Sequence, residues 1–231
     1  QALEASREGI KTLFVTLEMS LTQCFQRILS KLSQVKLSNI IQADKLNDHQ
    51  INQLEESSQQ ASKIQGKNLF FEEAASISPK QLEARIKHYQ KHFGVELVFV
   101  DYVQIMTLNS GKKPKEQSDF MDISTGLREL AKRTGVALVL GSQLSRDVEK
   151  REDKRPMDSD LKNSGSFEQD AAALIHLYRD AAYDKNTENP NILEVIIGKN
   201  RFGTPNVTLE FTYDFSCQSI YQTAGKPATA A

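Results

Sequence analysis

Through the first half of the chain, short unbroken apolar runs alternate with stretches whose apolar residues recur at helical spacing. Residues 11–17, Asn68–Phe71, Leu97–Val100 and Val136–Leu140 read as strands. Between them, Ser20 with Gln23 and Asn47 with Gln50 form capping-box patterns that open helices running to about Ser33 and about Ile64. Ser78-Pro79-Lys80-Gln81 sets a cap, a first-turn proline and a glutamine ahead of a helix to about His92. Phe120, Ile123, Leu127 and Leu130 line one face of another helix. Gln1–Glu8 reads as the end of a helix stopped at Gly9. In the second half the runs Ala173–Tyr178, Ile192–Ile197 and Val207–Phe211 follow one another with turns between. This order predicts an α/β fold in one domain: a mostly parallel sheet flanked by helices, with an antiparallel extension at the C-terminal end. The charged, irregular stretch from Ser145 to Gly165 is too long for a simple connection, which points to a functional or mobile loop. The Ala-, Thr-, Gly- and Pro-containing residues 222–231 read as a disordered tail.

Composition narrows the class without naming a function. The 231 residues are 39% hydrophobic and 26% charged, the balance of an ordinary globular chain. No apolar run approaches the roughly 20 residues that span a bilayer, and no signal peptide opens the chain, so a cytoplasmic setting is expected. Cys24 and Cys217, the only two cysteines, are too far apart for a metal motif or a disulfide framework. A net charge of −1 neither advertises nor excludes nucleic-acid binding, because local clustering decides that.

The chemistry gathers at strand ends. The run Leu97–Val100, expected to be buried on both faces, ends in Asp101, which sets a carboxylate at the edge of the sheet where ligands collect in open α/β folds. Such an acid can hold Mg²⁺ beside nucleotide phosphates, or it can cap a turn. Glu18 follows another strand, and Gln143 lies just past a third. Side by side, the three would form a nucleotide-hydrolysing arrangement: Asp101 for the metal, Glu18 for the attacking water, Gln143 to sense the terminal phosphate. Singly, Glu18 could serve a helix dipole and Gln143 a turn.

The motifs carry a resemblance. LEMS at Leu17–Ser20, VDYVQIM at Val100–Met106, SQLSR at Ser142–Arg146, DKRPMDSDLKNSGSFEQDA at Asp153–Ala171, YRD at Tyr178–Asp180 and IIGKNRFG at Ile196–Gly203 resemble the C-terminal motor domain of DnaB-type replicative DNA helicases. The resemblance spans nearly the whole chain, and its most specific part is SDLKNSGSFEQDA followed by IGKNRFG. It implies a RecA-like fold over residues 1–221, assembled as a homohexameric ring around single-stranded DNA, with ATP and Mg²⁺ at subunit interfaces. Carried over by motif, Glu18 resembles the catalytic base, Asp101 the Walker B acid and Gln143 the γ-phosphate sensor. Lys199 and Arg201 resemble the basic pair that enters a neighbour's site as an arginine finger; by themselves they read as a solvated hairpin turn. Asp160–Gln169 is similar to the central-channel loop, with Lys162, Asn163 and Gly165 at its DNA-contacting positions and Phe167 its one ring available for stacking. Lys112, Lys113 and Lys115 fall where a second channel loop would lie, or on a solvated surface loop. A primase and a helicase loader are the partners the resemblance implies for a full-length protein.

Three departures stand out. Lys162-Asn163 replaces the family's usual Arg-Glu, which keeps a phosphate partner but loses the bidentate fork. Ala172 stands where an acid is more usual. Nothing matches the P-loop pattern G-x-x-x-x-G-K-S/T, whose amides and lysine supply most phosphate binding. A start within a helix, without Met, favours a fragment whose numbering begins after that loop, so the chain alone is expected to hydrolyse ATP negligibly. A non-catalytic RecA-like module that forms rings or binds DNA is the alternative. A recombination- or clock-type RecA ATPase is disfavoured by SGSFEQDA.

Overall fold

The structure, a computed structural model, describes residues 1–161 and 165–223 and the backbone of residues 229 and 230. It divides into two compact units, residues 1–143 and 144–231, where the sequence pattern predicted one domain. No helix among the described residues is long and apolar enough to cross a membrane.

The first unit contains α1 (Ala2–Arg7), β1 (Thr12–Thr16), α2 (Leu21–Ser33), α3 (Leu37–Ile41), α4 (Asp48–Ile64), β2 (Leu69–Glu73), α5 (Pro79–Phe93), β3 (Leu97–Asp101), α6 (Gln117–Thr134) and β4 (Ala137–Leu140). Its four strands pair in parallel in the order β2-β1-β3-β4. The capping boxes at Ser20, Asn47 and Ser78 all form, each side chain accepting from the backbone N–H three residues on. α3 carries no side-chain cap and went unseen in the sequence.

Strand β3 corrects one expectation. Val98 and Val100 are fully buried, but Leu97, Phe99 and Asp101 on the other face are only half-buried. On that second face an aromatic row forms, in which Phe14 lies against Phe71 and Phe99, and Phe71 against Phe25 of α2. Leaving this face partly open keeps Asp101 within reach of solvent.

On α5 and α6, which pack together, Arg133 grips both oxygens of Glu83 at 3.2 and 2.8 Å, and Lys87 joins at 2.8 Å. These partners hold the Glu83 carboxyl down at about 2. A depressed carboxyl stabilises the fold fully above its unfolded value near 4.5 and loses that contribution as pH falls toward about 2. Arg133→Ala is therefore expected to lower the urea midpoint at neutral pH, with the gap from the parent narrowing as pH drops through that window. A gap that stays constant with pH would assign the effect to packing.

The second unit is an antiparallel sheet in the order β5-β6-β7-β8, built from β5 (Ala173–Tyr178), β6 (Ile192–Asn200), β7 (Val207–Asp214) and β8 (Ser219–Gln222). A two-residue β9 (Thr229–Ala230) also pairs with β7, so Gln222 and these two residues join the sheet where the sequence predicted a disordered tail. The short α7 (Gly165–Asp170) precedes β5. The described part of the irregular segment, residues 145–161, is held to the sheet at Arg155. Arg155 pairs with both oxygens of Glu194 at 2.7 Å, and its guanidinium lies 4.8 Å from the centre of the Tyr178 ring.

Candidate nucleotide and DNA site

In the first unit the chain leaves β1 toward β2 on one side and leaves β3 toward β4 on the other. The β1/β3 boundary is thus the topological switch point, where the outgoing connections diverge and leave a crevice beyond the carboxyl ends. The in-register pair Thr16 and Asp101 lies at the mouth of this crevice.

Glu18 is exposed on the turn after β1. The buried Thr16 hydroxyl shapes that turn, donating to the Met19 carbonyl at 2.7 Å and accepting from the Met19 N–H at 3.2 Å. The Leu17 N–H continues toward β3, donating to the Asp101 carbonyl at 2.9 Å. Glu73, at the end of β2, accepts from the Leu21 N–H at 2.8 Å and fixes the start of α2. Glu18 is therefore carried on a turn tied to both neighbouring strands.

Asp101 is half-buried, and burial pushes its carboxyl above the usual range; the negative charge of Glu18 adds to the rise and Arg27 opposes it. Two carboxylates that repel in a partly dry crevice are a place where a cation would be stabilised. Among the described residues no group of three or more His, Cys, Asp or Glu side chains is set to hold a metal by itself. Mg²⁺ takes one or two carboxylates and fills its remaining positions with water and substrate phosphates. Gly141, just past β4, comes so close that a Cβ there would lie 3.3 Å from Asp101 Oδ1.

Gln143 is exposed, and its backbone is held by a residue that sequence reasoning left without a role. Gln104, on the single helical turn Val103–Ile105, accepts from the Gln143 N–H at 3.1 Å and donates to Ser142 Oγ at 2.9 Å. The signal was present in VDYVQIM, but its partner lies 39 residues away. The strand order β1-β3-β4 sets the ends that carry Glu18, Asp101 and Gln143 next to one another.

The other candidates divide between the units. Lys112, Lys113 and Lys115 are exposed on the compact β3–α6 loop of the first unit, which is closed by the Leu108 N–H donating to the Lys112 carbonyl. In the second unit, Lys162 and Asn163 lie outside the described residues, whereas Gly165 is exposed at the start of α7. Both flanks of the Lys162 region are anchored. On one side Asp160 takes a two-pronged contact from Arg151 at 2.9 and 2.8 Å, and Leu161 bridges to Leu144. On the other side Lys199 donates to the Glu168 carbonyl at 2.6 Å, and Arg201 to the Gln169 carbonyl, also at 2.6 Å. These cations thus cap the C-terminal end of α7, where the dipole favours positive charge. Strand β6 runs past the expected Ile197 to Asn200, so Lys199 lies in the strand and only Arg201 in the turn. Phe167 is buried, so the ring expected to be available for stacking packs inside instead.

A second group went unseen. His176 of β5, buried, meets Asp158 at 2.6 Å, and Gly198 of β6 presses on the same carboxylate so closely that a Cβ would collide with it. Burial alternates along β5 and turns position 176 inward, whereas the apolar run itself did not reveal the orientation or the partner.

A parallel sheet with acids at its switch point, joined in sequence to an antiparallel sheet bearing a basic hairpin, defines the ATPase-domain fold of RecA-like helicases. Solved structures agree. An ATPase domain matches 96% of this chain and 78% of its own length at a TM-score of 0.88 and 29% identity. A DnaB-like replicative helicase, described with its interactions with primase, matches 96% of this chain and 52% of its own at 0.88 and 28%. The DnaB-like helicase C terminal domain family matches residues 1–219, and the chain belongs to it. Replicative DNA helicase DnaB of Buchnera aphidicola subsp. Baizongia pistaciae is 36% identical over 87% of this chain and 43% of its own length. DnaB of Geobacillus stearothermophilus is 32% identical over 92% and 46% respectively. The chain spans less than half the length of these curated relatives.

Proposed function

We propose that this chain is the motor domain of an ATP-driven replicative DNA helicase that moves 5′→3′ on single-stranded DNA as a homohexameric ring in the cytoplasm, with primase and a loader as partners of the full-length protein. The observation that carries this reading is the β1/β3 crevice, where half-buried Asp101 faces the charge of Glu18. Asp101 would hold Mg²⁺, which neutralises charge on the β- and γ-phosphates when bound. Glu18 orients the attacking water and accepts its proton. Gln143 hydrogen-bonds the terminal phosphate. Lys199 and Arg201 act on the ATP of the adjacent subunit, where a guanidinium meets the equatorial oxygens of the transition state. Lys162, Asn163 and Gly165 grip the DNA backbone, with Lys112, Lys113 and Lys115 on a second loop. Support comes from membership of the family and from the named relatives, which are replicative DNA helicases.

The test uses the full-length protein, which should separate a forked duplex with ATP and Mg²⁺ and do nothing without them. Lys162→Ala should then weaken single-stranded DNA binding about equally for all sequences. It should also flatten log affinity against log salt by roughly 0.7 per subunit engaged. Hydrolysis without DNA should continue. Rings that bind ATP but never separate strands would refute the motor reading. An unchanged salt slope would move the grip to Lys112–Lys115.

A further inference from the structure

Strand β4 stops pairing with β3 at the Val100–Leu140 rung, three residues short of Gln143. Beyond that rung the link continues through backbone bonds at Gly141: its N–H donates to the Val100 carbonyl at 2.8 Å and its carbonyl accepts from the Val103 N–H at 3.0 Å. From there, among the described residues, no strand pairs with residues 142 and 143. The Gln104 carboxamide takes that place. Its oxygen accepts the Gln143 N–H at 3.1 Å, and its nitrogen donates to Ser142 Oγ at 2.9 Å and, at 3.4 Å, to the Gln143 carbonyl. One side chain thus meets both the backbone donor and the backbone acceptor of a single residue, as a neighbouring strand would. A carboxylate would lose the donor half, and a thioether the donor half and all but a weak acceptor. The turn that bears Gln104 is fixed in its own right, with Val103 buried and the Met106 N–H closing onto the Val103 carbonyl at 3.1 Å. It also begins two residues after Asp101, so metal acid and amide share one short rigid link.

We propose that Gln104 is a positioning residue for hydrolysis: its carboxamide acts as the last rung of the β3–β4 ladder and sets where the Gln143 side chain meets the terminal phosphate. This rests on the reading of Gln143 as the phosphate-sensing amide. A misplacement of about 1 Å in such a group can cost on the order of 10²-fold in rate without disturbing ground-state binding. Gln104 touches no reacting atom and acts only through the Ser142 hydroxyl and the backbone of residue 143.

The experiment compares Gln104→Met, Gln143→Ala and the double variant in the full-length protein, with steady-state ATP hydrolysis, affinity for a fluorescent ATP analogue, and thermal midpoint as readouts. Gln104→Met should lower kcat by roughly 10- to 100-fold, leaving KM and analogue affinity within about twofold of the parent, as expected when only transition-state contacts are lost. In the Gln143→Ala background the same change should cost nothing more, because both act as one unit. Ser142→Ala, at an exposed position, guards against a Gln104→Met protein that fails to fold; it removes one hydrogen bond and should lower kcat only about three- to fivefold, again with no further effect once Gln143 is alanine. A slow Gln143→Ala protein beside an unimpaired Gln104→Met protein overturns the positioning role and leaves Gln143 in place. Additive losses in the double variant overturn it as well, by showing that Gln104 acts elsewhere. Parental turnover in Gln143→Ala removes the sensor reading, and the positioning role with it.

Discussion

Replacing Glu18 with glutamine in the full-length protein is expected to leave ATP binding in place while slowing hydrolysis by roughly 10²–10⁴-fold, the contribution of a positioned general base. Three observations set this expectation. Glu18 is exposed at the mouth of the switch-point crevice, its turn is shaped by the buried Thr16 hydroxyl, and its charge already bears on the Asp101 carboxyl. A glutamine keeps the size of the side chain and its hydrogen bonding to water but cannot take a proton at neutral pH. The same substitution removes the like charge beside Asp101, whose carboxyl should then titrate lower than in the parent. Phosphate release measured beside calorimetric ATP binding checks the first part, and the Asp101 carbon resonance followed against pH checks the second. Turnover near the parent rate would strike Glu18 from the role of base, whatever the titration shows.

Arg201→Ala should abolish hydrolysis by a similar or larger margin, roughly 10³–10⁵-fold for an arginine finger, while nucleotide affinity changes little. Here the guanidinium rests on the Gln169 carbonyl, beside Lys199 on Glu168. To reach a neighbour's phosphate it exchanges a carbonyl for a charged oxygen, and charge-assisted bonds are roughly twice as strong as neutral ones. Supplied in trans, the loss can be complemented. Mixed rings of Arg201→Ala and Glu18→Gln subunits contain some interfaces with an intact Glu18 on one side and an intact Arg201 on the other. Activity above the sum of the two parents is expected in proportion to those interfaces. If mixed rings form, as shown by differently tagged subunits that copurify, and activity never exceeds that sum, Arg201 does not act across the interface.

The features legible in the sequence share a short range. The helix starts at Ser20, Asn47 and Ser78 were readable because a capping box is completed within four residues, and all three form. The buried stripe Phe120, Ile123, Leu127 and Leu130 followed from helical period alone. The strand ends bearing Glu18, Asp101 and Gln143 were visible as apolar runs that stop at polar groups, and the motif runs carried the family. Other features depend on residues distant in the chain. Whether the second face of β3 is covered depends on what packs there, so half-open Phe99 and Asp101 could not be read from an apolar run. Phe167 looked available within its own segment, yet tertiary packing buries it.

The sequence by itself thus determined where elements begin, which side chains reach the carboxyl edge, and which family the chain belongs to. Each of these is written in local spacing or in contiguous motifs. The tertiary structure alone decided the strand order β2-β1-β3-β4, and with it the β1/β3 crevice that sets Glu18 beside Asp101. It alone joined Gln104 to Gln143, Asp158 to His176 beneath Gly198, and Lys199 and Arg201 to the end of α7. These pairs lie 18 to 39 residues apart, and the side chains that make them are ordinary in isolation. Only the pairing of strands within each sheet brings such side chains within reach of one another, and the buried His176 left without its partner would cost about 1–3 kcal/mol.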